Sequence, residues 1–440
     1  MLFNAQFGTG VEASAYVAAF RLPETLLNLL GGGTLAAAMI PVLLRTRHED
    51  GDEVERQLVA LTLAVTCAVM LAASVLGIAL AGPFVRTVLA PGFDAETTAL
   101  TITLTRLMLL EPPLLLLSTV AMAVVSSRNQ FFLVALSIAV HNVVLIGGLL
   151  VARLFPAVGI YGPATGVVLD GVLQASILLP GLRANGFHVN MVPTKVRRLK
   201  GFLDPSRLRD FVANSSAFGR LRELVRLVIP GGLSAIVNYG GTIVDTAAAS
   251  FAREAGALPA IHNAFLLIGL PIRLLGQAVA QAVYPHIAAH AAAREWAAMR
   301  RLLLRALAIT VGLALPAMAA LIGLGRWIIW LLFERGAFSA AAGDLTYTAL
   351  AAYALGLPFY IATELLARGH AALYDTTTPL LTNLLQLACR VALIWLLLPA
   401  LGAVAIPLAF AASSALEAGV LALILWRRLS LRYKPSLLVP

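Results

Sequence analysis

The stretch LVALTLAVTCAVMLAASVLGIALAG, from Leu58 to Gly82, runs for 25 residues without a charged side chain. A helix of about 20 apolar residues crosses about 30 Å of hydrocarbon, so this one predicts a membrane span. Comparable stretches flank it near 13–44, 97–125, 130–154, 158–182, 225–252, 257–289, 303–333, 341–368, 377–398 and 402–426, eleven in all. Apolar residues fill 60% of 440 positions, charged ones 12%, and the mean hydropathy is +0.88. That composition leaves no room for a large water-soluble catalytic domain. The expectation is an all-α polytopic membrane protein.

Pro23, Pro41, Pro113, Pro230, Pro271, Pro285, Pro316 and Pro358 sit in or at the ends of these spans. Each removes a backbone donor that neighbours or cavity water must replace, so bent helices lining a cavity and simple packing kinks are both open readings. Cys67 and Cys389 fall inside spans and suggest neither a disulfide framework nor a thiolate metal site. The first residues lack the basic segment of a cleavable signal peptide.

Basic residues set the expected orientation. Arg45, Arg47 and Arg56, then Arg128, the stretch from Arg183 to Arg226, then Arg294, Arg300, Arg301, Arg305 and Arg368, and finally Arg427, Arg428, Arg432 and Lys434 fall on one side. The other side carries little beyond Arg86, Arg153, Arg253 and Arg335. The rich side is expected to be cytoplasmic in the cell membrane, with the C-terminus there. The net charge of +10 is thereby assigned to loops facing anionic lipid, and nucleic acid is not an expected partner. The polar stretch with Lys195, Arg197, Arg198 and Lys200 reads as a linker, giving a domain plan of an N-terminal lobe at 1–182, a basic linker at 183–224 and a C-terminal lobe at 225–440. A short interfacial helix around 205–226 is one reading of its end.

An internal repeat supports two lobes. Leu22-Pro23 to Ile40-Pro41 recurs about 245 residues on as Leu270-Pro271 to Tyr284-Pro285, and Phe93 precedes Pro113 by the same interval as Phe338 precedes Pro358. Corresponding helices would share one orientation, so the repeat predicts two parallel lobes related by an axis along the membrane normal, with a central cavity.

These residues resemble a known family. Phe7-Gly8-Thr9-Gly10, Ala18 to Pro23, Ile40-Pro41-Val42-Leu43, Arg106, Ser126 to Asn142, Gly166 to Gln174, FERGAF at Phe333 to Phe338 and YDTTTP at Tyr374 to Pro379 are similar, in order and spacing, to MurJ/MviN proteins. These are the lipid II flippases of the multidrug/oligosaccharidyl-lipid/polysaccharide exporter superfamily. The resemblance implies a two-lobe core of twelve helices plus two more, and this sequence matches from about the second helix to the twelfth; an upstream start codon would account for the missing first helix. It implies a polyprenyl-pyrophosphate-linked glycan lipid as cargo, membrane lipids as surroundings, no cofactor, and a monomer. It also places Asn28, Gly32, Leu266 and Gly269 where the family carries charged cavity residues, and Ser14 where it carries an aspartate.

An ionisable side chain in hydrocarbon costs about 2.5–3.5 kcal/mol to insert, so those that remain are the site candidates. They are Arg21, Glu24, Arg106, Glu111, His141, Asp170, Asp245, His262, Arg273, Glu364, Arg390 and Glu417. Arg21 and Arg273 flank the repeated Leu-Pro pair, and two planar, permanently charged guanidiniums suit a pyrophosphate. Arg21, Glu24, Arg106 and Arg273 are therefore the expected substrate-binding residues, with pairing of Arg21 to Glu24 as the structural alternative. Asp245, Glu364 and Glu417 are ion-coupling candidates, a pairing of Glu364 with Arg390 being the alternative for that acid. No P-loop, HExxH, CxxC or GxSxG pattern is present, so an enzyme or an ATP-driven pump is disfavoured and an ion gradient or the membrane potential is the expected drive. The expected function is alternating-access translocation of lipid II from inner to outer leaflet. The alternatives are export of another polyprenyl-linked glycan, ion-coupled antiport of a small molecule, or a non-transporting membrane scaffold.

Overall fold

Helices occupy each of the eleven expected stretches, and several end where the sequence frees the backbone or removes a donor. A computed structural model describes residues 1–30, 34–187 and 216–432. A short helix α1 (Leu2–Phe7) stops at Gly8, whose φ of 58° belongs to the left-handed region and whose missing side chain leaves room for the Ala337 backbone. Then come α2 (Val11–Leu30), α3 (Thr34–Glu49) and α4 (Asp52–Phe84), the last widening into a π-helical turn at Val85–Leu89 after Pro83. The span expected over 97–125 is broken in two, α5 (Ala95–Met108) and α6 (Glu111–Ser127), because Pro112 and Pro113 cannot donate to the preceding turn. Helices α7 (Phe131–Leu154) and α8 (Tyr161–Ala184) complete the first half.

In the second half, α9 (Ser216–Ser250) is a single helix, so 216–226 forms its opening turns rather than a separate interfacial helix. Residues 188–215 of the expected linker, with Lys195, Arg197, Arg198 and Lys200, lie outside the described residues, as do Gly32 and Lys434. Helix α10 (Ala257–Pro271) passes through a π-helical turn at Ile272–Gln277 into α11 (Ala278–Ala292). Helices α12 (Trp296–Leu332), α13 (Ala340–Ala372), α14 (Thr377–Leu401) and α15 (Ala405–Arg432) follow. Ser339 caps α13 by accepting the Ala342 amide at 3.2 Å, and Gly402 at φ 55° ends α14.

Two compact units result. The N unit comprises Ala18–Thr87 and Ala95–Tyr239, and the C unit Met1–Val17, Val88–Asp94 and Gly240–Pro440. The N unit packs Met39 and Leu43 of α3, Leu58 and Met70 of α4, Leu116 and Val124 of α6 and Leu224 of α9 around one core. The C unit centres on Ile287, Met299, Leu303, Leu365, Leu421 and Leu425. The first seventeen residues belong with the C unit for a definite reason: Asn4 donates to Asn263 at 3.0 Å and the Ala337 amide to the Ala5 carbonyl at 2.8 Å.

Burial is inverted relative to a soluble protein. Most of α13 and of α5 with α6 is buried, whereas α4, α7 and α12 leave their apolar side chains uncovered, Leu76 and Val143 among them. Eight helical stretches of the described residues are long and apolar enough to cross a membrane, the last of them, Thr377–Ser430, containing both α14 and α15. Since lipid tails are as apolar as leucine, close packing rather than removal from water holds these helices together.

Candidate functional site

Arg21 lies one turn from Glu24 on α2, and its Nη1 reaches the Glu24 carboxylate at 3.3 Å. Its side chain is 13% exposed. Thr25 donates to the Arg21 carbonyl at 2.6 Å and Asn28 to the Glu24 carbonyl at 2.8 Å, so the helix around Pro23 satisfies its own acceptors with side chains. The structural alternative for Arg21 is thus realised, and Asn28 is spent on the helix.

Arg273 sits in a different environment. It is exposed, occupies the π-helical turn that follows Pro271, and makes no ion pair or side-chain hydrogen bond among the described residues. The equivalent Pro23 stays within a continuous α-helix; at Pro271 the position matching Asn28 is Gly276, which has no side chain to bond back. An unpaired, planar guanidinium on a widened turn is suited to an oxyanion such as a phosphate. Leu266, seven residues earlier on α10 and 56% exposed, presents only apolar surface. Arg106 donates from Nε to the Ile78 carbonyl at 3.3 Å, tying α5 to α4.

The acids of the C unit separate into two groups. Arg390 pairs with Asp245, not with Glu364, and its guanidinium lies 4.8 Å from the Phe410 ring centre. Phe410 itself packs against Phe265, Tyr353 and Tyr360. Asp245 therefore already has a fixed cation. Glu364 packs over Gly276, faces the Gln277 amide and Arg368, and shares its surroundings with Glu417. Glu417 is 8% exposed and has no hydrogen bond among the described residues. Of the three acids named from the sequence, Asp245 is held by a cation, Glu364 has the Gln277 amide, and Glu417 has no hydrogen-bond partner among the described residues.

The N unit holds a group that the sequence presents only as scattered residues. Asp170 on α8 accepts from His141 Nδ1 of α7 at 2.7 Å and from Gln174 Nε2 at 2.8 Å. Gly171 lets α8 close on α6: a Cβ there would stand 2.7 Å from Leu114 Cβ and 3.5 Å from the Glu111 carbonyl oxygen. Glu111 opens α6 beside them. His141, isolated in the sequence, is thus a partner of a buried acid; an acid one helix away leaves no local signal.

The two most specific motifs are structural turns. In FERGAF, Glu334 pairs with Arg326, Gly336 takes φ 61° and Phe338 is buried against Phe333. In YDTTTP, Asp375 accepts from the Thr378 amide at 3.0 Å, His370 at 3.0 Å and Arg428 at 2.5 Å, joining α13, α14 and α15. Burial alone would raise the Asp375 pKa, but the Thr378, His370 and Arg428 contacts outweigh it and hold the carboxyl at about 2. In the N unit, Arg220 bonds Glu49 at 2.5 Å and Asp50 at 2.8 Å, which raises its pKa, and Arg45 bonds Glu223 at 2.9 Å. Segments assigned to one basic side by sequence are joined here within one unit.

Known proteins resemble this chain throughout its length. The family profile described as "Lipid II flippase MurJ" matches residues 3–439. A "Probable lipid II flippase MurJ" of Rhizobium tropici is 30% identical over 99% of the chain and 78% of the relative. The "Lipid II flippase MurJ" of Burkholderia cenocepacia is 29% identical over 86% and 70%. Among solved structures, a lipid II flippase MurJ in an inward closed conformation superposes with a TM-score of 0.76 at 21% identity, covering 98% of this chain and 86% of that one. An inward-facing multidrug resistance MATE transporter reaches 0.77 at 15%, covering 99% and 96%.

Proposed function

Because the chain belongs to the MurJ family of lipid II flippases, a family of transporters and not of enzymes, we propose that it carries lipid II from the inner to the outer leaflet of the cytoplasmic membrane by alternating access. The match over nearly the whole length supports this reading, and the MurJ- and MATE-like fold agrees with it. Arg273 is proposed as the principal contact for the pyrophosphate, since its guanidinium is unspent. Arg21, with Glu24 as its resting partner, and Arg106 are proposed to support it. Glu364 and Glu417 are proposed as the ion-coupling acids; Asp245 is held by Arg390. The protein is proposed to work as a monomer with its C-terminus on the cytoplasmic side, and the two sequential halves to act as the repeat-related lobes.

The direct test is rescue of a MurJ-depleted bacterium by this gene, with lipid II accessibility measured in each leaflet. Growth with lipid II appearing outside is the expected result. A second reading, another polyprenyl-linked glycan as cargo, is favoured by Leu266, an apolar side chain 56% exposed at a position where the resemblance places a charged cavity residue. A stably inserted protein that leaves lipid II inside would select it.

A further inference from the structure

The break between α5 and α6 places a carboxyl group where no described residue neutralises it. Glu111 is 2% exposed and Asp170 0%. Glu111 Oε2 and Asp170 Oδ1 are both shielded and without a hydrogen-bond partner. Asp170 is nevertheless supported, because its other oxygen takes the bonds from His141 and Gln174. Glu111 has no side-chain hydrogen bond or ion pair among the described residues. A helix start usually offers free backbone donors to an acid, but Pro112 and Pro113 remove two of them here.

The charged groups that face Glu111 are themselves acids, Asp170 from α8 and Glu24 from α2. Glu24 is matched by Arg21, and Asp170 by the imidazole of His141, which is 41% exposed. Glu111 is left as the unmatched charge, in a medium that penalises an isolated carboxylate severely. The described residues contain no group of three or more side chains placed to hold a metal ion. A proton neutralises a lone carboxylate without needing such a cage.

We propose that Glu111 is a proton-binding site: its carboxyl carries a proton beside Asp170, whose own carboxyl is held by His141 and Gln174. Any use of this proton in transport rests on the flippase reading; its binding does not, and it is measured without cargo. The experiment is infrared spectroscopy of the purified full chain in lipid nanodiscs, with H2O exchanged for D2O. The expected result is a carbonyl band of a protonated carboxylic acid that shifts in D2O, moves again when glutamate carboxyls are labelled with 13C, survives in the double variant Glu364→Gln with Glu417→Gln, and is lost when Glu111→Gln is added to it. Because the label marks every glutamate, a labelled band in the double variant Glu364→Gln with Glu417→Gln assigns it without touching Glu111, so the test stands even if Glu111→Gln does not fold. A band that ignores the glutamate label, is absent from that double variant, or persists once Glu111→Gln is added to it, overturns the proposal. Loss of the wild-type band on adding Na+ or K+ at fixed pH keeps the proton site and shows that a cation competes for it. A chain with the band and no lipid II translocation supports the proton site and sinks the cargo reading instead.

Discussion

Asp375 accepts the Arg428 guanidinium at 2.5 Å across 53 residues of sequence, while its second oxygen caps the Thr378 amide that opens α14. One carboxylate thus fastens three helices of the C unit. Asp375→Asn is expected to lower stability by about 1–3 kcal/mol, the usual loss when a charged hydrogen-bond acceptor is removed from its partners. Arg428→Ala should cost less, because its side chain is largely exposed and screened. The comparison is made by thermal unfolding in detergent.

The same contact has a pH signature. A carboxyl held at about 2 instead of its ordinary 3.8 adds stability that is complete above the ordinary value and is lost as pH falls through the lower one. Wild type and Asp375→Asn should therefore differ most above pH 4 and converge near pH 2. A gap that persists unchanged at pH 2 would mean the carboxylate charge is not what the partners recognise.

Arg390 is buried and Asp245 largely so, and removing either leaves the other's charge uncompensated. Asp245→Asn alone should cost about 3–5 kcal/mol, and the double variant Asp245→Asn with Arg390→Gln should recover much of it. A double-mutant cycle on unfolding stability reads the coupling directly; additive single losses would refute it.

Arg273→Ala should leave abundance and folding unchanged and reduce lipid II translocation by roughly tenfold or more, as expected for loss of a charge-assisted contact worth about 1.5–3 kcal/mol. Arg21→Ala should reduce translocation and stability together, since it also strands Glu24. Arg106→Ala should have the smallest effect. Full translocation by both Arg21→Ala and Arg273→Ala would remove these residues from the site.

Gly171→Ala would press a methyl group 2.7 Å from Leu114 Cβ, so α6 and α8 must separate. The expected cost is about 1–3 kcal/mol, measured as earlier unfolding of the purified protein.

The spans were legible because a lipid-facing helix must be apolar along 20 or so residues, a signal that local context cannot hide. Motifs were legible too, but their roles were not: FERGAF and YDTTTP read as family signatures, and only the contacts of Glu334 and Asp375 reveal them as turns that pin helices. Pairings across long separations left no trace. Asp245 and Arg390 stand 145 residues apart, so Glu364, closer in sequence, looked the better partner. Glu111, Asp170 and His141 each resembled a lone polar residue until three helices met. The membership of the first seventeen residues in the C unit follows from Asn4 and Asn263, 259 positions apart, which no periodicity reports.

The wide turn at Ile272–Gln277 accommodates one more residue than an α-turn of the same rise, and so rotates everything beyond it by roughly 100° about the axis. Residues three or four apart across this point are not neighbours, and a heptad wheel drawn through Leu270 and Val283 would put the wrong side chains on one stripe. The turn is also a reservoir of length. Deleting one residue within it should be absorbed as tighter winding, with α10 and α11 both kept and the face presented by Ala278–Ala292 unchanged.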